Sequence, residues 1–271
     1  MYNDRIATLL AETKKAREAL VKSESRLLRD APDANSGDYL RNYATCLLNR
    51  QVDIYDDAVF LLNGGRVSSA CIVSRGMIET YAIAKLIGDK IFKILSEKDG
   101  AESLDECDKV LLNFINSSRI KVSEQEKLRD RIFDPNEYTF TPEALQRMES
   151  SLASNEHVMN ALRNLYKFEM KTTGAKESRF MMIYDILSEW VHPSQTSVFH
   201  HYTPETHMIT TSHGPVHLHT AAQLNCLEAL HFITDSMNMH DWLISISEEM
   251  SQRAIRRRLE GWTDMLRAVF P

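Results

Sequence analysis

The segment from Val67 to Leu95 is the most apolar long stretch of the chain, and it constrains the fold more than any other feature. Its apolar residues recur at helical spacing but cover several faces, which predicts a long helix buried on most sides. Such a helix needs other elements to cover it, and only 9 Gly and 7 Pro in 271 residues leave few places for the chain to turn. The apolar positions of this segment are Ala70, Ile72, Val73, Met77, Ile78, Tyr81, Ala82, Ala84, Leu86 and Ile87.

The rest of the chain shows the same helical spacing, so the predicted fold class is all-α, a multi-helix bundle in one domain. We expect a peripheral N-terminal helix within residues 1–35, a core over residues 36–250 and a basic C-terminal helix over residues 251–271. Capping residues and Gly or Pro stops set the predicted boundaries. Besides the Val67 to Leu95 helix, we predict helices over residues 3–29, 36–63, 100–116, 121–133, 141–166, 180–192, 220–250 and 252–269.

A short stretch after His192 differs from the helical segments in its residue pattern. Residues 198–202 and 207–211 are β-prone, and the four residues between them contain Pro204. We therefore expect a small β-hairpin, inserted after the Tyr184 to His192 helix.

Charge and composition limit the classes of function. A net charge of -6 argues against nucleic-acid binding through bulk electrostatics, although a local basic patch can still act. Residues 1–5 do not begin an apolar signal peptide and no apolar run reaches the roughly 18 residues of a membrane span, which predicts a cytoplasmic protein with no membrane partner. The four cysteines have no C-x-x-C spacing and are expected to be buried, reduced thiols: Cys46, Cys71, Cys107 and Cys226.

The strongest candidate site lies where an apolar helix meets Pro193. Tyr184, Ser188 and His192 fall at i, i+4 and i+8 and form a polar stripe along one edge of that helix. Because Pro193 disfavours the α conformation of the residue before it, His192 is predicted to be the last helical residue or the cap. The helix dipole favours a cation there, which suits a general acid or an anion-binding group. The alternative is that His192 only caps the helix and Tyr184 and Ser188 satisfy their own hydrogen bonds.

A second polar feature lies within the apolar Val67 to Leu95 helix. Arg75 and Glu79 are four residues apart among positions that otherwise look buried. Such a pair either follows a narrow solvent-exposed strip or is held inward by partners, because unpaired buried charge is costly. We expect a site between this helix and the Met181 to His192 helix.

Other possible chemistry is weaker. Histidines are frequent between His192 and His219, and His217-x-His219 would place two rings on one side of an extended segment, so a metal site is conceivable. The helical zinc motifs are missing, however, and surface histidines explain the cluster equally well, so no metal and no cofactor are predicted. The basic run from Arg253 to Arg258 could bind phosphate but is more typical of a solvated helix face.

Two short motifs, Arg75-x-x-x-Glu79 and Tyr184-x-x-Leu-Ser-x-x-x-His192-Pro-Ser, resemble an uncharacterised family of all-helical prokaryotic proteins that is distantly similar to HEPN domains. The likeness covers about residues 35–250. It implies an RNA-acting protein of a stress or phage-defence system, with RNA and a second copy of the chain as partners. HEPN ribonucleases carry a paired Arg and His on one helix, whereas residues 186–191 contain no Arg. An Arg that serves His192 would have to come from another helix, and Arg75 is the candidate.

The resemblance implies metal-independent RNA cleavage. His192 would act as general acid on the leaving 5′ oxygen, Arg75 would stabilise the phosphorane charge, and Tyr184 or Glu79 would orient the imidazole. The competing interpretation is a non-catalytic interaction or small-ligand-binding module in which a buried polar network fixes the helix packing or holds an anion. Both interpretations use the same five residues: Arg75, Glu79, Tyr184, Ser188 and His192.

Overall fold

The computed structural model describes residues 2–25, 34–116, 157–194, 197–198, 210–211 and 214–269. Their main elements are helices, as the sequence predicts. A 3₁₀ helix, His231–Asp235, lies between the last two α-helices. The α-helices are α1 Tyr2–Ala19, α2 Ser36–Asn63, α3 Val67–Glu97, α4 Ala101–Asn116, α5 Val158–Thr173, α6 Arg179–Glu189, α7 Val216–Leu230 and α8 Ser236–Val269.

Helix α3 is the centre of the fold, which confirms the prediction from its apolar pattern. It packs against α2, α4, α5, α6, α7 and α8. Met77, Ile78, Ile87 and Ile91 are fully buried within it, and its buried side chains belong to one core cluster shared with the surrounding helices. At Gly88, an added Cβ would lie 2.2 Å from a ring carbon of Trp242, so α8 approaches α3 closely only because that position lacks a side chain.

Local sequence signals set both ends of α2, as predicted. The Asn35 side chain accepts hydrogen bonds from the backbone N–H groups of Gly37 at 2.8 Å and Asp38 at 3.3 Å, while the Asp38 carboxylate accepts from the Asn35 N–H at 2.9 Å. This reciprocal capping box starts the helix. The helix ends at Gly64 and Gly65, and Gly65 has a φ of 70° that other residues rarely adopt.

The N-terminal helix is shorter than the sequence predicts. Its expected end near residue 29 is wrong, because α1 stops at Ala19. The Arg17 guanidinium donates to the Leu20 carbonyl at 3.0 Å and binds the Asp56 carboxylate of α2 at 2.8 Å, so a tertiary contact closes the helix. Leu9 and Leu20 are buried, and α1 packs against α7 and the 3₁₀ helix.

The predicted break between the last two helices falls in the wrong place. The segment 220–250 is not one helix, because residues 231–235 form a 3₁₀ turn in which the Ser236 hydroxyl donates to the Phe232 carbonyl at 3.1 Å. Asp235 in that turn accepts a hydrogen bond from the Tyr81 hydroxyl of α3. No Gly or Pro lies at the predicted break near residue 251, and α8 continues through it to Val269. The predicted separate basic helix over residues 251–271 is therefore the second half of α8.

The β-hairpin expected after His192 is not supported, and some of the predicted helices fall on residues outside the described part of the chain. The described strands are a two-residue antiparallel pairing of Thr210–Thr211 with Gly214–Pro215, which does not support the larger hairpin expected from residues 198–202 and 207–211. Residues 199–209 lie outside the described part of the chain, as do the predicted helix over 121–133 and the start of the one over 141–166. None of the helices in the described part has the length and apolarity needed to cross a membrane.

The cysteines are free thiols, but they do not share one environment. Cys71, Cys107 and Cys226 are buried as expected, whereas Cys46 is exposed on α2, where the prediction of burial is wrong. The Sγ atoms of Cys71 and Cys226 lie 3.4 Å apart in the core between α3 and α7. Burial raises the pKa of the Cys107 thiol to about 12, so this thiol stays protonated at neutral pH.

Candidate functional site

Helix α6 is fixed at its start by a buried carboxylate from α5. Ser178 caps the helix by accepting the Met181 N–H at 3.1 Å. Glu169 accepts the Phe180 N–H at 3.1 Å and also the Ser178 hydroxyl. The carboxylate thus stands at the positive end of the helix dipole and offsets the cost of its own burial. As a result, α6 is held firmly against α5, and Tyr184 is presented to α3.

Arg75, Glu79 and Tyr184 form a closed hydrogen-bonded triangle between α3 and α6. Arg75 donates from Nε to Glu79 Oε1 at 2.9 Å and from Nη2 to the Tyr184 hydroxyl at 2.7 Å. The Tyr184 hydroxyl in turn donates to Glu79 Oε1 at 3.0 Å. The guanidinium carbon also lies 4.8 Å from the centre of the Tyr184 ring, within the range of a cation–π contact. Three of the five predicted site residues therefore meet at the predicted helix interface.

The triangle lies at the edge of the core, where its charged members reach solvent. The Arg75 side chain is 23% exposed and the Glu79 side chain 26% exposed, whereas Tyr184 is buried. The sequence left open whether this pair follows a solvent strip or is held inward by partners, and both descriptions apply. Of the five N–H donors of Arg75, two are used in these hydrogen bonds within the described residues. The remaining donors can serve water or an anion.

The tyrosines of the site are held in their neutral form. Burial, followed by the nearby Glu79 carboxylate, raises the pKa of Tyr184, and Arg75 opposes this shift. Burial is also the main cause that raises the pKa of Tyr166 on α5, with Tyr184, Asp185 and Glu79 adding to it. Both hydroxyls are therefore hydrogen-bond donors at neutral pH.

Tyr166, on a helix that packs against both α3 and α6, is a buried polar residue that the sequence analysis did not single out. Its position in the run Leu162, Leu165, Tyr166 fits the apolar face of a helix, so sequence spacing assigns it to the core. The residue is 7% exposed, and its hydroxyl has no hydrogen-bond partner within the described part of the chain. A tyrosine at a core position is not by itself a sign of a site, because its hydroxyl normally finds a hydrogen-bond partner.

The other two predicted residues, Ser188 and His192, are not part of the triangle. The Ser188 hydroxyl donates to the Tyr184 carbonyl at 2.7 Å, a bond within its own helix. His192 is exposed, and none of the side-chain hydrogen bonds between described residues joins it to Arg75, Glu79 or Tyr184. Within the predicted polar stripe, the side chain of Tyr184 makes the hydrogen bonds to α3.

The predicted helical end at His192 is wrong by about one turn. Helix α6 ends at Glu189, and the chain then tightens, with the Trp190 N–H bound to the Leu187 carbonyl at 3.3 Å. The Ser194 hydroxyl donates to the Glu189 carbonyl at 3.0 Å and thereby satisfies the end of the helix. His192 lies in the turn that follows, beyond the last helical residue.

The histidine-rich segment and the basic run do not form sites in the described structure. His200, His201, His207 and His213 lie outside the described residues, and no cluster of three or more metal-ligand side chains occurs within them. Arg257 pairs with Asp105 at 3.0 Å, and Arg253 pairs with Glu249 at 2.7 Å. Arg253, Arg256 and Arg257 line one surface pocket together with acidic neighbours that offset their charge, namely Asp99, Glu249 and Glu260.

Comparison with other proteins adds no assignment. The chain matches no known protein family, no curated protein and no solved structure. The geometry around Arg75 is therefore the basis for a function.

Proposed function

We propose that this chain is an RNA-binding protein of a HEPN-like kind, acting in a stress or phage-defence setting, with Arg75 as its phosphate anchor. The observation that carries the proposal is the partly exposed Arg75 side chain at the junction of α3 and α6, fixed on one side by Glu79 and Tyr184. Fixing the guanidinium reduces the entropy lost on binding an anion. Its remaining N–H donors match the two oxygens of a phosphodiester.

The charge balance of the site defines the kind of binding expected. Glu79 offsets the charge of Arg75, and the whole chain carries a net charge of -6. Bulk electrostatic attraction to RNA is therefore small, and binding depends on a few direct contacts. Because few counterions would be released, the affinity should fall only weakly with added salt.

RNA binding has more support than RNA cleavage. His192 follows Tyr184 by eight residues, a separation of about 12 Å if the helical rise is extended across the turn. General acid catalysis needs the imidazole and the stabilising guanidinium at the same phosphate. No described contact brings them together, so His192 is proposed as an accessory RNA contact. The cleavage assay below tests whether it also acts as a general acid.

The test uses the full chain and a short single-stranded RNA of mixed sequence in the presence of EDTA. Fluorescence anisotropy measures binding, gel electrophoresis measures cleavage, and melting curves report folding. We expect Arg75→Ala to weaken RNA binding about tenfold or more while the protein still melts cooperatively. Arg66→Ala, which removes the same charge from the N-terminal end of the same helix, is the matched control.

The outcomes separate binding from chemistry. Equal RNA affinity of wild type and Arg75→Ala would overturn the proposal. If wild type cleaves the RNA in EDTA and His192→Ala melts normally but does not cleave, the protein is a metal-independent ribonuclease and His192 is catalytic. Absence of cleavage by wild type would leave RNA binding as the function.

A second candidate is a non-catalytic module that holds a small anionic ligand or simply fixes the helix packing. The closed triangle favours it, because Arg75, Glu79 and Tyr184 already bind one another and His192 stands apart. A ligand that binds only the folded state raises the melting temperature. A melting panel of nucleotides and inorganic phosphate tests this candidate, and a shift that disappears in Arg75→Ala would place the ligand at the triangle.

A further inference from the structure

The hydroxyl of Tyr166 is an exception among the buried tyrosines of the described structure. Tyr55 is hydrogen-bonded to Thr13 at 3.2 Å, Tyr184 donates to Glu79, and Tyr81 donates to Asp235. The Tyr166 hydroxyl is equally sealed from solvent but has no such partner within the described residues. Because a buried hydroxyl without a partner costs about 1–3 kcal/mol, this position calls for an explanation.

Tyr166 lies beside the Arg75 triangle. It is on α5, which packs against both α3 and α6, the two helices that supply the triangle. The charges of Glu79 and Arg75 both act on its hydroxyl, in opposite directions, and the neighbouring Tyr184 and Asp185 act on it as well. An unpaired donor on α5 and a cation with unused N–H donors on α3 therefore belong to helices that pack against each other.

We propose that Tyr166 is a ligand-contacting residue, which donates a hydrogen bond to the same anionic group that Arg75 binds. This inference rests on the proposed function and adds a third helix to the site. One donor from α3 and one from α5 would then converge on a single phosphate. Convergence of donors from different elements is what makes an anion site selective for shape as well as for charge.

Access to the buried hydroxyl requires a neighbouring side chain to move. Arg75 is suited to do so, because it is long, partly exposed and joined to Tyr184 through Nη2 by a single hydrogen bond. When Nη2 turns to the incoming phosphate, the guanidinium stays anchored to Glu79 through Nε, and Glu79 keeps its bond from Tyr184. The triangle can therefore open on the side of Arg75 at modest cost.

The test compares wild type with Tyr166→Phe, which deletes only the hydroxyl. The probes are the mixed-sequence RNA oligonucleotide and inorganic phosphate, and each protein is also melted in the absence of probe. We expect the variant to bind RNA about tenfold more weakly, since one hydrogen bond to a charged group is lost. Its melting temperature should equal or exceed that of wild type, because the deleted hydroxyl has no partner to lose.

Tyr55→Phe is the matched control. It deletes a buried hydroxyl that is bonded to Thr13, far along the chain from the site, so it should lower the melting temperature and leave RNA binding unchanged. Three results would overturn the inference. If Tyr166→Phe binds RNA as tightly as wild type, Tyr166 is no ligand contact, although Arg75 can still be one. If the variant melts well below wild type, the hydroxyl has an internal partner. If wild type binds neither RNA nor phosphate, the proposed function fails and this inference fails with it.

Discussion

Two arginines on the described helices share one local pattern, a glutamate four residues away, and yet they serve different purposes. Arg253 donates to Glu249, to the backbone carbonyls of Leu95 at 2.9 Å and Lys98 at 2.7 Å, and to Ser103 at 3.3 Å. It therefore caps the C-terminal end of α3 and ties it to α4 and α8. Most of its N–H donors are committed to the protein itself.

Arg75 uses fewer of its N–H donors for contacts within the protein than Arg253 does. It uses one donor for its glutamate and one for Tyr184, and it keeps a larger exposed fraction than Arg253, 23% against 14%. A guanidinium whose donors are all used stabilises the fold, whereas one with donors left over is available to a ligand. The sequence pattern therefore predicts the position of an ion pair, whereas the surrounding backbone determines whether the arginine stabilises the fold or is available to a ligand.

The largest expected effect on stability comes from removing the capping arginine. Arg253→Ala should lower the free energy of unfolding by about 2–4 kcal/mol, because two partly buried carbonyls at the end of α3 and the Ser103 hydroxyl lose their donor. Urea denaturation measures the change. Arg256→Ala is the control, since Arg256 is 64% exposed and lies 3.8 Å from Glu249, and it should change stability by less than about 0.5 kcal/mol. Similar small losses for both variants would contradict the capping role.

A smaller effect is expected when the triangle is broken at its buried member. Tyr184→Phe removes both the donor to Glu79 and the acceptor for Arg75, and we expect a loss of about 1–2 kcal/mol in the free energy of unfolding. The same denaturation measurement applies, with the exposed Tyr39→Phe as the control. An unchanged midpoint would mean that water replaces the hydroxyl without cost.

Removing Arg75 itself should cost less stability than either change above. Its pair with Glu79 is half exposed, so Arg75→Ala is expected to lower the free energy of unfolding by about 1 kcal/mol or less. The same variant should lose RNA affinity, whereas Arg253→Ala should retain it whenever the protein is folded. Denaturation measures the stability of both variants, and fluorescence anisotropy measures their RNA affinity. A larger loss of stability in Arg75→Ala than in Arg253→Ala would contradict this prediction.

The smallest expected effect is a difference in alkaline stability. Burial raises the pKa of Tyr184 in the folded protein, so folding favours the neutral phenol. The resulting stabilisation is complete below the unfolded pKa of about 10 and is lost as the pH rises through the folded value. Wild type should therefore lose more stability than Tyr184→Phe between neutral pH and the alkaline range. Denaturation curves at several pH values measure this slope, and parallel curves for the two proteins would show that Tyr184 does not titrate with unfolding.

Much of the fold could be predicted from local signals. The apolar pattern of α3 identified the central helix, and α2 begins at Ser36 and ends before Gly64-Gly65, as the sequence predicts. These predictions succeeded because the determinants lie within a few residues of the feature they specify. The ends of α1 and α6 were predicted wrongly because Arg17 closes the first through Asp56 and Ser194 closes the second through the Glu189 carbonyl.

The candidate site was predictable in part for the same reason. Arg75 and Glu79 stand out because charges are rare on an apolar helix, and Tyr184 stands out on the edge of another. Tyr166 could not be recognised, since a tyrosine at a core position normally finds a partner and only the packed structure shows that this one has none. Ser188 and His192 follow the stripe in sequence, but the turn after Glu189 sets His192 apart from the triangle.

Helical periodicity and four-residue spacing are local properties of the chain, and they establish the helical class, the central position of α3 and the pairing of Arg75 with Glu79. The packing of the helices establishes that Arg75 binds Tyr184, that Arg253 caps α3, and that the Tyr166 hydroxyl has no partner among the described residues. Each of those contacts joins residues far apart in sequence, and their hydrogen-bonding groups are satisfied or left free only by the way the helices pack.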